Sequence, residues 1–203
     1  MTDLRVGDTK RDWIRHSAQR ELASAVSTRI PGVSVKIVDF NERVPFLSQL
    51  KTSSQADIFI GMHGAGLTHL LFLPEWAAVF EVYHCEDRGC YSDLARLRGV
   101  KYFTWPESKL HLMIPEKEGK HPTNGQTHPK FANYIVDVDT FVQVVVKMKD
   151  YVSRHPSFVS SRRRLRRRPG PSPSRLVFNL KPKSRARPAG LTHKPDRNAV
   201  SLI

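Results

Sequence analysis

Acidic residues almost vanish from the last quarter of this 203-residue chain. From Ser153 to Ile203 there is one Asp against 14 Lys and Arg, whereas Met1 to Val152 hold 18 acidic and 19 basic residues. The formal charge of +14 is therefore a property of the tail. The body is electrically ordinary, so the basic field concerns the tail's partners and not the fold. Cysteine is scarce too. Cys85 and Cys90 are the whole complement, which excludes a disulfide framework. No apolar run approaches the ~20 residues of a membrane span. There is no Asn-x-Ser/Thr sequon, and Met1 to Asp8 has no apolar signal core. Read literally, these absences describe a chain made and kept in the cytosol.

What is present is an alternation of strand-like and helix-like segments. Ile14, Ala18, Leu22 and Val26 recur near the helical period, and Pro31-Gly32 stops that helix. VSVKIVDF (Val33 to Phe40) reads as a buried strand, and a short helix through Val44 to Leu50 follows. ADIFIGM (Ala56 to Met62) reads as a strand that runs through a glycine turn into a helix ended by Pro74. AVFEVY (Ala78 to Tyr83) and VKYFTW (Val100 to Trp105) are further strands, with a helix over Tyr91 to Leu97 between them. Pro106 to Lys130 reads as a long polar loop. Val136 to Val152 is a final helix with Phe141, Val145, Met148 and Val152 on one face, capped by Asp137 or Asp139.

Strands alternating with helices imply an α/β fold with a parallel sheet. Only about four strands are visible, so the sheet reads as one whose first strand or strands are missing. The expected organisation is an α/β domain over residues 1–152 and a disordered Arg/Pro-rich tail over 153–203. Seven of the 14 prolines and the run RRRLRRR (Arg162 to Arg168) lie in that tail. It has no apolar period with which to offset ordering entropy.

The informative segment is DIFIGMHGAGLTHLLFLP, Asp57 to Pro74. Gly64 and Gly66 flank Ala65 where a strand hands over to a helix. Glycine permits positive φ and close approach of a ligand. The opening turn of the helix then presents unpaired N–H groups and a positive dipole end, which suits a phosphate or diphosphate. His63 is placed to donate to the same anion, and Thr68 and His69 sit where they reach the ligand or cap the helix. The alternative is that the glycines only allow a tight turn and close helix–sheet packing. Glu81, inside AVFEVY, either hydrogen-bonds a ribose hydroxyl or points to solvent at a sheet edge. Cys85 and Cys90 (CEDRGC) either close a small disulfide in an oxidising compartment or, with His84, form part of a metal site; no complete metal motif is present. His111, His121 and His128 read as surface residues. Trp76 and Trp105 read as packing rather than sugar platforms.

The segments DIFIGMHGAGLTHLLFLP, WAAVFEVYHCEDRGCYSDLARLRGVKYFTW and HPKFANY together resemble the C-terminal part of family 61 glycosyltransferases. The resemblance runs from about Val35 to about Val152. It implies a Rossmann-like C-terminal lobe of a two-lobed GT-B enzyme, here incomplete at its N-terminus. It further implies transfer of N-acetylglucosamine from UDP-GlcNAc to Ser or Thr of EGF-like repeats, with inversion, in the endoplasmic reticulum lumen. By this resemblance His63, Gly64, Ala65, Gly66, Leu67 and Thr68 bind the donor diphosphate, and Glu81 is a ribose or structural carboxylate. Neither a cofactor nor a metal is implied, and no catalytic base is identified. The chain departs from the family in several ways. It lacks most of an acceptor lobe, a signal peptide and an HDEL-type ending. Its Ala18-Gln19-Arg20-Glu21-Leu22 matches the family's Asn-x-x-Glu-Leu only at Glu21 and Leu22. The implied molecule is a donor-binding half-enzyme, inactive alone. The rival reading is nucleic-acid or anionic-surface binding through Arg162 to Arg168 beside a non-catalytic α/β domain. A third is a folding remnant without a ligand.

Overall fold

The computed structural model describes residues 10–82, 89–117, 119–121, 123–127, 132–166 and 174–179. The elements run α1 (Lys10–Arg29), β1 (Val33–Val38), α2 (Phe46–Ser53) and β2 (Ile58–Gly61), then a 3-10 helix over Ala65–Phe72. After these come β3 (Ala78–Glu81), α3 (Cys90–Arg98), β4 (Lys101–Thr104) and a second 3-10 helix over Glu107–Leu112. The chain continues through β5 (Met113–Lys117), β6 (Asn133–Val136), α4 (Val138–Arg154), α5 (Pro156–Arg166) and β7 (Ser174–Asn179). The five strands β1-β7-β2-β3-β4 form one sheet, and every pairing in it is parallel. The α/β expectation is met.

The sheet separates two apolar cores. On one face Leu22, Val26 and Ile30 of the α1 region and Phe141, Val145, Met148 and Val152 of α4 pack on Ile58, Ile60, Phe80, Leu176 and Phe178. The helical face read for α4 is thus the buried one. Phe141 lies between Phe80 and Phe178, with ring centroids 5.6 and 5.7 Å away. On the other face Leu67, Leu70, Tyr91 and Ala95 cover Phe59, Val79 and Val177. β2 and β3 are buried along their whole length. This is why ADIFI and AVF read as continuous apolar runs rather than alternating ones. β1 corrects the expectation of a buried strand. It is an edge, with Val33 and Val35 half-buried and Ser34 and Lys36 exposed, because one face and one side of it meet solvent.

Three further expectations need correction. The segment after Gly64 winds as a 3-10 helix, with bonds such as Leu67 N–H to Gly64 O and Leu73 N–H to Leu70 O, each three residues apart. The stretch read as a loop from Pro106 to Lys130 contains β5, which pairs antiparallel with β6 as a two-stranded ribbon. Pro115 obscured it, but proline is tolerated in a strand that has a free edge. The tail is not uniformly disordered. α5 and β7 both lie in it, and β7 is an interior strand of the sheet, between β1 and β2. Within the tail, residues 167–173 and 180–203 lie outside the described residues.

β7 escapes a compositional reading because its partners are distant in sequence. Leu176, Val177 and Phe178 are all at most 3 % exposed, two towards one core and one towards the other. Each such side chain contributes about 1.5–3 kcal/mol, and the strand gains ladders on both sides. Averaged over fifty residues rich in Arg and Pro, that short apolar stretch is invisible.

Asp57 joins this tail to the body. Its buried Oδ1 accepts from Trp76 Nε1 at 2.8 Å. Oδ2 accepts from Arg162 Nη2 of α5 at 2.9 Å and from the Arg175 N–H of β7 at 2.8 Å. The Asp57 N–H in turn donates to the Arg175 carbonyl at 2.8 Å. Arg162 also lies over the Phe158 ring, 4.8 Å from its centroid.

Of the two aspartates offered as a cap for α4, Asp137 serves. Its carboxylate accepts from the Thr140 N–H at 2.8 Å. Hydrogen bonding from Thr140, with Lys109 nearby, holds the Asp137 carboxyl below the ordinary Asp range. A lowered folded-state pKa means that the stabilisation is complete above the unfolded value near 4 and is lost as pH falls through the folded one. Asp137→Ala is expected to cost about 1 kcal/mol at pH 7. In urea titrations the gap between the two proteins should narrow as the pH is taken below about 4.

Candidate functional site

The carboxyl ends of parallel strands bring together residues far apart in sequence. β2 leads through Met62 into His63, Glu81 closes β3, and Thr104 closes β4 opposite Glu81. Glu81 is 2 % exposed and lies in an interior strand, so it does not face solvent at a sheet edge. Its Oε1 is 2.5 Å from His63 Nδ1, and its Oε2 accepts from the Tyr102 hydroxyl at 2.6 Å. The Thr104 hydroxyl donates to the Glu81 backbone carbonyl at 3.1 Å. The Tyr91 ring meets the imidazole edge-on, with centroids 5.1 Å apart.

This arrangement fixes the orientation of His63. A carboxylate accepts from an Nδ1–H, which directs the ring's other nitrogen, Nε2, away from Glu81. If the ring is doubly protonated, Nε2 also becomes a donor, the form in which an imidazole binds an anion. Tyr102 holds the second carboxylate oxygen. Burial first, then the hydrogen bond to Glu81 and the charge of Glu81, push its hydroxyl well above the ordinary phenol range. It therefore remains a donor throughout the neutral range. Tyr102 was not among the residues singled out from the sequence. No local signal marked it, since only the pairing of β3 with β4 brings it to Glu81.

The turn after His63 is open. Gly64 has φ 148° and ψ 171°, a conformation restricted to glycine, yet a Cβ built there would meet nothing within 4 Å. Backbone geometry, and not close packing, requires glycine at this position. Ala65 and Thr68 are exposed, and Gly64 and Gly66 are half-buried. The Thr68 hydroxyl donates to the Ala65 carbonyl at 2.6 Å and closes the first turn. Leu67 turns into the core, and its N–H is bound to the Gly64 carbonyl at 2.9 Å.

Other candidates separate from this site. His69 is buried against the Phe40 ring, 4.3 Å between centroids, with Nδ1 3.0 Å from Ser53 Oγ, so it is a packing residue rather than a ligand. Trp105 is fully buried and donates to the Lys109 carbonyl at 2.8 Å, and Trp76 serves Asp57; neither is a sugar platform. His111 is exposed, and His121 accepts from the Thr123 N–H at 3.2 Å. Cys90 opens α3 and is exposed. His84, Cys85 and His128 lie outside the described residues, and with them the proposed Cys85–Cys90 bridge.

Tyr102→Phe leaves one buried Glu81 oxygen without this donor and is expected to destabilise the fold by about 1–2 kcal/mol in urea denaturation. The raised folded-state pKa means that this contribution is complete below the unfolded value near 10 and is lost as pH rises through the folded one. Alkaline difference spectroscopy should show a late tyrosine step in the wild type that is missing from the variant.

Comparison with known proteins bears on the same residues. The Glycosyltransferase 61 family matches residues 11–80, a span that includes β2, His63 and the glycine turn. The chain is 51% identical over 147 residues to "EGF domain-specific O-linked N-acetylglucosamine transferase" of Canis lupus familiaris, covering 72% of this chain and 27% of the relative. The protein of that name from Pan troglodytes is 53% identical over 141 residues, with 69% and 26% covered. The one from Drosophila melanogaster is 54% identical over 117 residues, with 58% and 22% covered. The chain thus spans about a quarter of the length of the curated relatives it matches. The resemblance to family 61 glycosyltransferases, first read from the strand–HGAG–helix segment and the apolar strand that carries Glu81, is shown by these matches.

Proposed function

We propose that this chain binds the diphosphate of a nucleotide sugar, UDP-GlcNAc, and supplies the donor half of an O-linked N-acetylglucosamine transfer. The observation that carries the proposal is an exposed glycine turn at the carboxyl edge of a parallel sheet, next to a histidine oriented by a buried carboxylate. Ligands of open α/β sheets bind at that edge. The backbone of the glycine turn, with the imidazole of His63 beside it, would stabilise the charge that grows on the departing diphosphate. Glu81 acts in this reading as a positioning residue for His63 rather than as a ribose ligand, since both of its oxygens are engaged by the protein. Amides and an imidazole can perform this task without a bound metal.

The acceptor in this reading is a Ser or Thr of an EGF-like repeat, and the compartment is the endoplasmic reticulum lumen. The acceptor is supported by the name that the relatives carry, and the compartment by the family resemblance alone. A second lobe, in the GT-B manner, would hold the acceptor and the base that deprotonates it. The chain alone is then a donor-binding unit without transferase activity.

Calorimetric titration of the whole chain with UDP should give saturable one-to-one binding, competed by UDP-GlcNAc. Gly64→Ala should weaken it by about tenfold or more, because the strained backbone costs roughly 1–3 kcal/mol and turns the amides away. His63→Gln should weaken it further. Absence of saturable binding by a chain shown to be folded would overturn the proposal.

A further inference from the structure

β1 and β2 are consecutive strands that do not pair with each other. They are held one strand-width apart, and β7 fills the interval with both of its sides paired. Val35 and Ile58 both face Leu176, and Lys36 and Phe59 both face Val177 across the two ladders. The rest of the sheet therefore makes a cleft whose walls are two parallel strand edges. Its floor and roof are the two cores. The position is also where the helices change face. α1 and α4 cover one side of the sheet, and α3 and the 3-10 helix cover the other. In a parallel sheet a helix entering β1 by a right-handed crossover comes from a strand beside β1. α1 enters β1, yet the strand beside β1 is supplied by the far end of the chain.

We propose that the cleft between β1 and β2 is a strand-acceptor site, taking one extended apolar segment parallel to both walls. Residues 174–179 are its occupant in this chain. The chemistry of the occupant follows from the walls. It needs free backbone donors and acceptors on both sides and apolar side chains on both faces, as Leu176, Val177 and Phe178 supply. It also needs a donor at its amino end for Asp57, here the Arg175 N–H, with Arg162 of α5 completing the clip. At its carboxyl end Asn179 lies opposite Gly61, two residues before His63. The occupant thus forms one flank of the candidate ligand edge. This inference does not depend on donor binding, and its test does not measure it.

The test uses the whole chain with a site-specific protease sequence inserted between Arg167 and Pro173. After cleavage the two pieces should stay together through size exclusion, with an unchanged circular dichroism spectrum. A dye-labelled synthetic peptide of residues 172–181 in excess should displace the cut segment and remain bound. The same peptide carrying Leu176→Asp and Phe178→Asp should not. The uncut chain should take up little peptide, because the tethered segment acts at an effective concentration on the order of millimolar. In the uncut chain, amides of Leu176 to Phe178 should exchange with deuterium as slowly as those of β2, about 1,000-fold or more below an unstructured amide. Asp57→Asn should speed their exchange at least about tenfold while leaving β4 less affected. Release of the cut segment from a body that stays folded would overturn the proposal. So would collapse of the cut chain, or fast exchange at residues 176–178 in the intact one.

Discussion

A carboxylate in the interior must have its lone pairs taken up, and Asp57 meets that requirement with three donors from three separate segments of the chain. The indole of Trp76, the guanidinium of Arg162 and the amide of Arg175 converge on it at the amino edge of the sheet. Removing any one leaves a buried charge less well served, and this is expensive in a poorly hydrated setting. Segments more than a hundred residues apart are therefore tied to one point. The interior strand β7 enters the sheet at that point, and both cores close over it.

A second buried carboxylate works at the opposite edge. Glu81 ends the neighbouring strand and holds an imidazole and a phenol instead of a guanidinium and an indole. The two sites share one physical logic and have different consequences. At Asp57 all the donors are internal, and the result is cohesion. At Glu81 the buried imidazole is anchored through Nδ1 beside a turn in which Ala65 and Thr68 are exposed, and the result is a side chain held in a fixed orientation. Parallel strands make this division possible, because all of their carboxyl ends lie on one side.

The legibility of these features in the sequence was uneven. β2, β3 and β4 stood out as short apolar runs bounded by Gly and Pro, and the stripe of α4 stood out by its period. The glycine turn was readable as a turn, since only glycine takes the backbone found at Gly64. Glu81 was noticed because a carboxylate amid AVF and V demands a partner, but its partners were not named. Tyr102 passed unnoticed because nothing local distinguishes a tyrosine that packs from one that donates to a buried acid. The ribbon of β5 and β6 was concealed by Pro115. β7 was concealed by charge: six arginines in seven residues dominate the composition around it.

By itself the sequence determined the α/β class, the turn at Gly64, the buried face of α4 and the likeness to family 61 glycosyltransferases. These rest on local periodicity, on backbone restrictions of single residues and on matched segments, all of which are written along the chain. Only the tertiary structure decided which strands lie side by side, that Glu81 orients His63, and that a segment of a basic tail stands inside the sheet between β1 and β2. Such outcomes depend on pairing energies between residues remote in sequence. The free energy of burying Leu176 to Phe178 exists only once two other strands have left room for them.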